Sequence, residues 1–124
     1  LARKFYQQHN KSMRPRGSDQ VWVAVANNQV VGAVRQRYIG PHALLTGLFV
    51  APTWRGKGIG GMLCQALSAQ QTGPLFLFCQ PSLIPYYQPL GFDIEPTPPA
   101  EVADKLQRLN KGLQCMRKPL KARQ

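Results

Sequence analysis

The sequence predicts an α+β fold, with helices flanking one mixed β-sheet. Three observations predict it. A hairpin signal runs from Val21 to Arg37, with Asn27-Asn28 at its tip. A strand, a glycine-rich loop, a helix and a second strand follow one another over Leu44–Cys79, which reads as a parallel crossover. A last strand at Leu113–Arg117 then closes the sheet. With 124 residues and 13.8 kDa there is chain for one core, so residues 1–124 are expected to form a single domain.

The elements follow in order. Leu1–Asn10 reads as helix, with Leu1, Phe5 and His9 on one face. Lys11–Asp19 is a loop punctuated by Pro15 and Gly17. Val21–Ala26 is rich in β-branched residues. Asn27-Asn28 tolerates the left-handed conformations of a tight turn, and Gln29–Arg37 returns as the partner strand. Gly40-Pro41 breaks the chain before the nearly all-apolar strand Leu44–Val50. A helix to about Gln70 places Ile59, Leu63, Ala66 and Leu67 on one face. Leu75–Cys79 is a continuous apolar run suited to a strand buried on both faces. Pro81–Gly91 holds a short helix with Tyr86 and Tyr87, and Phe92–Glu95 is a short strand. Pro96–Pro99 is stiff, and Ala100–Leu109 is helical.

Sixteen Lys and Arg against five Asp and Glu give +11 and a pI near 10.2. Such a field favours an anionic partner but does not choose among nucleotide, nucleic acid, acidic protein and membrane surface. Arg14, Arg16, Arg35 and Arg37 read as a solvated face that could also receive an acidic substrate or RNA. No basic block of five occurs, and no RNA-recognition motif or aromatic stacking cluster supports nucleic-acid binding. Cys64, Cys79 and Cys115 form no CxxC pair, which argues against a disulfide framework and for the cytoplasm. With only His9 and His42 beside them, no metal site is expected. The longest apolar runs are far short of a membrane span, and Leu1–Asn10 lacks the apolar core of a signal peptide.

The chemistry concentrates in Leu48–Gly61, where a strand ends, a loop turns and a helix begins. The first N–H groups of a helix have no internal partners and sit at the positive end of its dipole. Gly56, Gly58 and Gly60 let a ligand approach the backbone, and Arg55 and Lys57 add two charges. This is an anion site suited to phosphate or pyrophosphate. Gly56, Gly58 and Gly61 match GxGxxG, but Pro52 and Trp54 separate them from the strand and no acid follows at the distance a dinucleotide site needs. Lys57 is followed by Gly58, so a P-loop also fails.

A third pattern fits. Arg55-Gly56-Lys57-Gly58-Ile59-Gly60 matches [RQ]-x-x-G-x-[GA], and Leu48–Gly60 resembles the "L-x-V-x-P-x-x-R-G-x-G-I-G" stretch of the GNAT superfamily of N-acetyltransferases. Tyr86-Tyr87-Gln88-Pro89-Leu90-Gly91-Phe92 resembles that family's "F-Y-x-x-L-G-F" block. The resemblance runs from Val21 to the end. It implies a splayed mixed sheet of the acyl-CoA N-acyltransferase fold, with acetyl-CoA as cosubstrate and its thioester between the Leu44–Val50 and Leu75–Cys79 strands. It assigns Leu48, Phe49 and Val50 to the cofactor, with Val50 backbone groups bonding the pantetheine arm. It assigns Arg55, Gly56, Lys57, Gly58, Ile59 and Gly60 to the pyrophosphate. Tyr87, four residues before Gly91, takes the place of the tyrosine that protonates the leaving thiolate. The reaction implied is direct attack by an amine on the thioester carbonyl.

Two departures matter. Many members carry a Glu or Asp on the strand before the loop, and Leu44–Val50 has none; His42 is the nearest alternative base. The family also begins with a strand ahead of the first helix, and that strand is apparently missing from a sequence that opens on Leu1. Three readings therefore stand. The first is an N-acetyltransferase acting on a small-molecule or peptide amine, monomeric or homodimeric and away from membranes. The second is a non-catalytic GNAT-fold module that binds acetyl-CoA or CoA and regulates a protein partner. The third is a nucleic-acid binder, which only the charge favours.

Overall fold

A computed structural model describes residues 1–9 and 17–119. Ten elements appear in order: α1 (Ala2–His9), β1 (Gln20–Ala26), β2 (Gln29–Ile39), β3 (His42–Val50), α2 (Ile59–Ala69), β4 (Leu75–Cys79), α3 (Ile84–Tyr87), β5 (Asp93–Ile94), α4 (Ala100–Leu109) and β6 (Gln114–Lys118). The six strands form an open mixed sheet of order β1-β2-β3-β4-β6-β5. The expected α+β architecture is therefore present. Asn10 and the loop residues 11–16, with Arg14 and Arg16, lie outside the described residues. The chain folds as two compact units, Leu1–Arg37 with Leu45–Gln70 and Tyr38–Leu44 with Gln71–Gln124.

In the first unit the hairpin forms as its turn chemistry dictates. Asn27 and Asn28 take φ of 51° and 61°, the left-handed pair that matches the twist of the flanking strands. The β1–β2 register slips between Ala24 and Val25, a bulge next to the turn. Helix α1 buries Phe5 and Tyr6, which join Ala33 and Ala51 in a cluster flanked by Val23, Val30, Phe49 and Trp54. The expected Leu1–Phe5–His9 stripe does not form, since Leu1 is 88% exposed. A two-turn helix instead turns two adjacent aromatics inward, and the His9 ring covers the cluster edge, 4.7 Å from Phe5 and 5.8 Å from Phe49. Helix α2 buries Leu63, Cys64 and Leu67. Gly32 of β2 admits it, because a Cβ there would stand 3.1 Å from Leu63 Cδ1 and 3.2 Å from Ile59 Cγ2.

The expected solvated arginine face is overturned for Arg35, which is 4% exposed, and Arg37 is part-buried. Both pair with Asp19. The register explains it. Gln20 faces Gln36 and Val21 faces Arg35, so one more step sets Asp19 across from Arg37 and diagonal to Arg35.

In the second unit Leu44, Phe76, Val102 and Cys115 form an apolar cluster, with Ile39, Phe78 and Leu106 against it. β4 pairs antiparallel with β6 from Leu75↔Lys118 to Cys79↔Gln114. β5 is shorter than the expected Phe92–Glu95, spanning Asp93 and Ile94, with Glu95 N just beyond it still donating to Cys115 O at 2.9 Å, while Phe92 is fully buried. The single short helix expected over Pro81–Gly91 is divided. Pro81, Pro85 and Pro89 each sit at the start of a new turn, giving 3₁₀ turns at Pro81–Leu83 and Gln88–Leu90 around a one-turn α3. The third strand starts at His42, so Gly40-Pro41 is a two-residue turn rather than a longer break. Glu101 in the first turn of α4 and Arg108 in its last oppose the helix dipole, and Asn110 at φ 46° ends the helix.

Candidate functional site

The loop between β3 and α2 is built from the strand end upward. A 3₁₀ turn over Pro52–Trp54 leaves β3, with Trp54 N donating to Ala51 O at 2.8 Å. Gly56 and Gly58 then take φ of 78° and 80°, where any side chain is strained. A Cβ at either glycine would meet nothing within 4 Å, so the backbone lies open on that side. Gly58 caps α2 with no side-chain hydrogen bond, and the first helical turn carries no acid. The first bond closing back onto the cap runs from Met62 N to Gly58 O, 3.1 Å. The N–H groups of Ile59, Gly60 and Gly61 thus precede any i−4 acceptor within the helix. Lys57 is exposed beside them. These residues fit a pyrophosphate: helix donors with no partner among the described residues, an uncompensated dipole and open space at Gly56 and Gly58 meet at one turn, with Gly60 itself buried.

Arg55 does more than add charge. Its Nε donates to Val50 O at 2.9 Å, and its guanidinium lies 4.9 Å from the Phe49 ring centroid. It therefore braces the end of β3 while four of its five N–H donors remain to be used. Leu48, Phe49 and Val50 are each half-buried on this last stretch of β3.

The sequence reading missed Gly47, just before them. It takes φ of 66° in mid-strand. Its carbonyl accepts a hydrogen bond from Tyr6 Oη at 2.7 Å, and a Cβ there would overlap the Arg35 guanidinium. The available signal was a lone glycine inside a strand pattern, which marks a bulge or a close approach.

The second unit holds the other candidates. Tyr87 ends α3 and is 8% exposed, with its ring edge-on to Tyr86 (5.1 Å) and Phe92 (5.9 Å). Tyr86 is 44% exposed, so one of the two adjacent tyrosines packs inward, as helical geometry requires. His42 Nε2 is 3.0 Å from Glu101 Oε2, and its ring stands edge-on to Phe76 at 5.9 Å. Glu101's own backbone hydrogen bond, then His42, hold its carboxyl below the usual range. Cys79 is buried with its thiol 3.8 Å from Met116 Sδ, and burial pushes its pKa up, away from a reactive thiolate. Among the described residues no group of three or more His, Cys, Asp or Glu could hold a metal ion, and no helix is long and apolar enough to cross a membrane.

A family model described as the acetyltransferase (GNAT) domain matches residues 17–94. The chain belongs to the GNAT acetyltransferase family. No curated protein sequence matches it significantly. Solved GNAT structures match closely in fold. N-acetylglutamate synthase from Neisseria gonorrhoeae, complexed with coenzyme A and N-acetyl-glutamate, is 12% identical with a TM-score of 0.75; the match covers 98% of this chain and 28% of that one. Tetrahymena GCN5 is 18% identical with a TM-score of 0.69, over 98% of this chain and 82% of its own. An aminoglycoside 6'-N-acetyltransferase complexed with coenzyme A is 13% identical with a TM-score of 0.69, over 99% and 91%. At these identities the likeness is one of fold, and this GNAT chain spans little more than a quarter of the synthase.

Proposed function

We propose that this chain is an acetyl-CoA-dependent N-acetyltransferase that acts on a primary amine of a small molecule or peptide. The observation that carries the reading is the open, positively charged start of α2, capped by Gly58 and flanked by Arg55 and Lys57. Arg55, Gly56, Lys57, Gly58, Ile59 and Gly60 hold the pyrophosphate. Leu48, Phe49 and Val50 hold the pantetheine arm by backbone groups; Val50 O already accepts from Arg55, so its N–H is assigned to the arm. Bound acetyl-CoA supplies the acetyl group as a thioester. The amine nitrogen bonds to the acetyl carbon as the carbon–sulfur bond breaks. Tyr87 Oη gives its proton to the departing thiolate sulfur.

The base is a separate question. β3 carries no carboxylate. The one acid of the first unit, Asp19, is engaged by two arginines, and His42 by Glu101. The acceptor gives one proton to water and attacks as the free amine, and the proton then shed by the acylated nitrogen passes to water, from which the Tyr87 phenolate is reprotonated, so kcat/KM climbs with pH toward the amine's own pKa. The absent strand carboxylate also favours a second reading, a non-catalytic module that binds acetyl-CoA or CoA and regulates a protein partner. Residues 1–124 are taken as one GNAT domain, monomeric or homodimeric and metal-free. Three free, buried thiols support a cytoplasmic location.

The test is release of CoA thiol across a panel of amino acids, polyamines, aminoglycosides and peptide N-termini. The enzyme reading expects turnover on at least one class, and a Tyr87→Phe variant with lower kcat but unchanged acetyl-CoA affinity. Tight binding with no turnover across the panel supports the regulatory module instead. Unchanged turnover in Tyr87→Phe removes that residue from the mechanism.

A further inference from the structure

The left-handed backbone of Gly47 in β3 is held by a chain of buried polar groups that the loop motif does not include. Tyr6 is fully buried, and its hydroxyl donates to Gly47 O at 2.7 Å across 41 residues of sequence. The Arg35 guanidinium lies 5.5 Å from the centre of the Tyr6 ring. Arg35 is itself buried, with Nε 3.1 Å from Asp19 Oδ2. Asp19 is fixed in turn by a two-pronged grip from Arg37, at 3.0 and 2.8 Å. Among the described residues, Arg35 Nε and Nη1 have no well-directed hydrogen bond. The guanidinium is held by its charge partner and by contact with Gly47, where a Cβ would overlap it.

The chain ends on a peptide plane with consequences. Gly47 C=O and Leu48 N–H belong to one rigid trans peptide and point in opposite directions. Fixing the carbonyl fixes the N–H. We propose that Tyr6, held by Arg35 and Asp19, is a positioning residue for acetyl-CoA: by holding Gly47 O it sets the direction of the Leu48 N–H and of the Leu48–Val50 backbone that takes the pantetheine arm. This inference rests on the acetyl-CoA reading above and extends it to three residues outside the loop. Packing alone does not call for the hydroxyl, because a phenylalanine fills the same space without a buried polar atom to satisfy. Burial raises the Tyr6 pKa to about 12 against the opposing pull of Arg35, so the group remains a donor at any pH suited to acetyl transfer.

Tyr6→Phe removes the hydroxyl and keeps the ring. Two ligands separate the roles. Acetyl-CoA uses both arm and loop, whereas adenosine 3',5'-bisphosphate lacks the arm and serves as the control. Titrations run well below the melting temperature are expected to show acetyl-CoA binding about tenfold weaker in Tyr6→Phe, the scale of one buried hydrogen bond. The control ligand is expected to bind as in wild type. Arg35→Lys keeps the charge but loses the planar contact, and it should weaken acetyl-CoA selectively in the same way. A core variant such as Val102→Ala, which lowers stability within the separate Leu44–Phe76–Cys115 cluster, should change neither affinity. Unchanged acetyl-CoA affinity in Tyr6→Phe, or equal weakening of both ligands, would overturn the proposal. A wild-type protein that binds neither ligand overturns the acetyl-CoA reading itself, and this inference with it.

Discussion

The two compact units solve the problem of burial differently. The unit that carries the glycine loop has nine basic residues (Arg3, Lys4, Lys11, Arg14, Arg16, Arg35, Arg37, Arg55 and Lys57) against one acid, Asp19. The side chain of that acid is 3% exposed and committed to Arg35 and Arg37. The other unit has seven basic residues against four acids, and its core is a cluster of Leu44, Phe76, Val102 and Cys115. One unit thus places an ion pair beside its aromatic cluster and leaves no carboxylate to compete with a phosphate. The other relies on apolar packing and keeps Asp93, Glu101 and Asp104 exposed, with Glu95 half-buried. Most of the chain's net positive charge is therefore carried by the unit that holds the glycine loop.

Breaking each core in its own way gives the largest effect. Asp19→Ala leaves two arginines, one of them buried, without a counter-charge and should cost about 3–5 kcal/mol in urea unfolding. Phe76→Ala should cost a similar amount, about 3–5 kcal/mol, through the cavity it leaves. The companion variants differ. Replacing Asp19, Arg35 and Arg37 together by apolar residues should recover most of the loss, since no charge is stranded. No second substitution of that kind rescues Phe76→Ala. An Asp19→Ala protein as stable as wild type would erase the contrast.

A smaller effect sharpens it. The folded state holds the Tyr6 proton up to about pH 12, whereas the unfolded phenol loses it near the ordinary 10.0. The stability contribution is complete below pH 10 and is lost as pH rises through 12. Unfolding followed across that window should show a slope that Tyr6→Phe removes. A slope surviving in Tyr6→Phe would assign it to another group.

The fold was largely legible because its signals are local. Asn27-Asn28 fixes the hairpin, the switch from strand run to glycine loop to helical spacing fixes β3–α2–β4, and the prolines mark where helices stop. The geometry of the loop was legible for the same reason, since its glycines and the helix start are written in consecutive residues. Tyr6, Arg35, Asp19 and Gly47 were not. Their meeting depends on strand register and on the docking of α1, and +11 made two more arginines look like surface. The α1 stripe failed because an eight-residue helix gives periodicity too few turns to distinguish Phe5–Tyr6 from Leu1–Phe5–His9.

The smallest expected effect is at the His42–Glu101 pair. The Glu101 carboxyl lies below its ordinary range, first through its own backbone hydrogen bond and then through His42. Its contribution is present above the unfolded carboxyl pKa and is lost as pH falls through the lower folded value. The carboxylate is solvent-exposed, so Glu101→Gln should leave the melting temperature at neutral pH essentially unchanged. A clear drop would show that the pair fastens α4 to the start of β3.

The central claim is that the Arg55–Gly60 loop binds the pyrophosphate of acetyl-CoA. Calorimetric titration with acetyl-CoA, of the wild-type protein and of an Arg55→Ala, Gly58→Trp double variant, tests it most directly. Micromolar binding by the wild type and none by the variant is expected, with both proteins folded by circular dichroism. Equal binding by the two would contradict it, and so would a wild-type protein that does not bind.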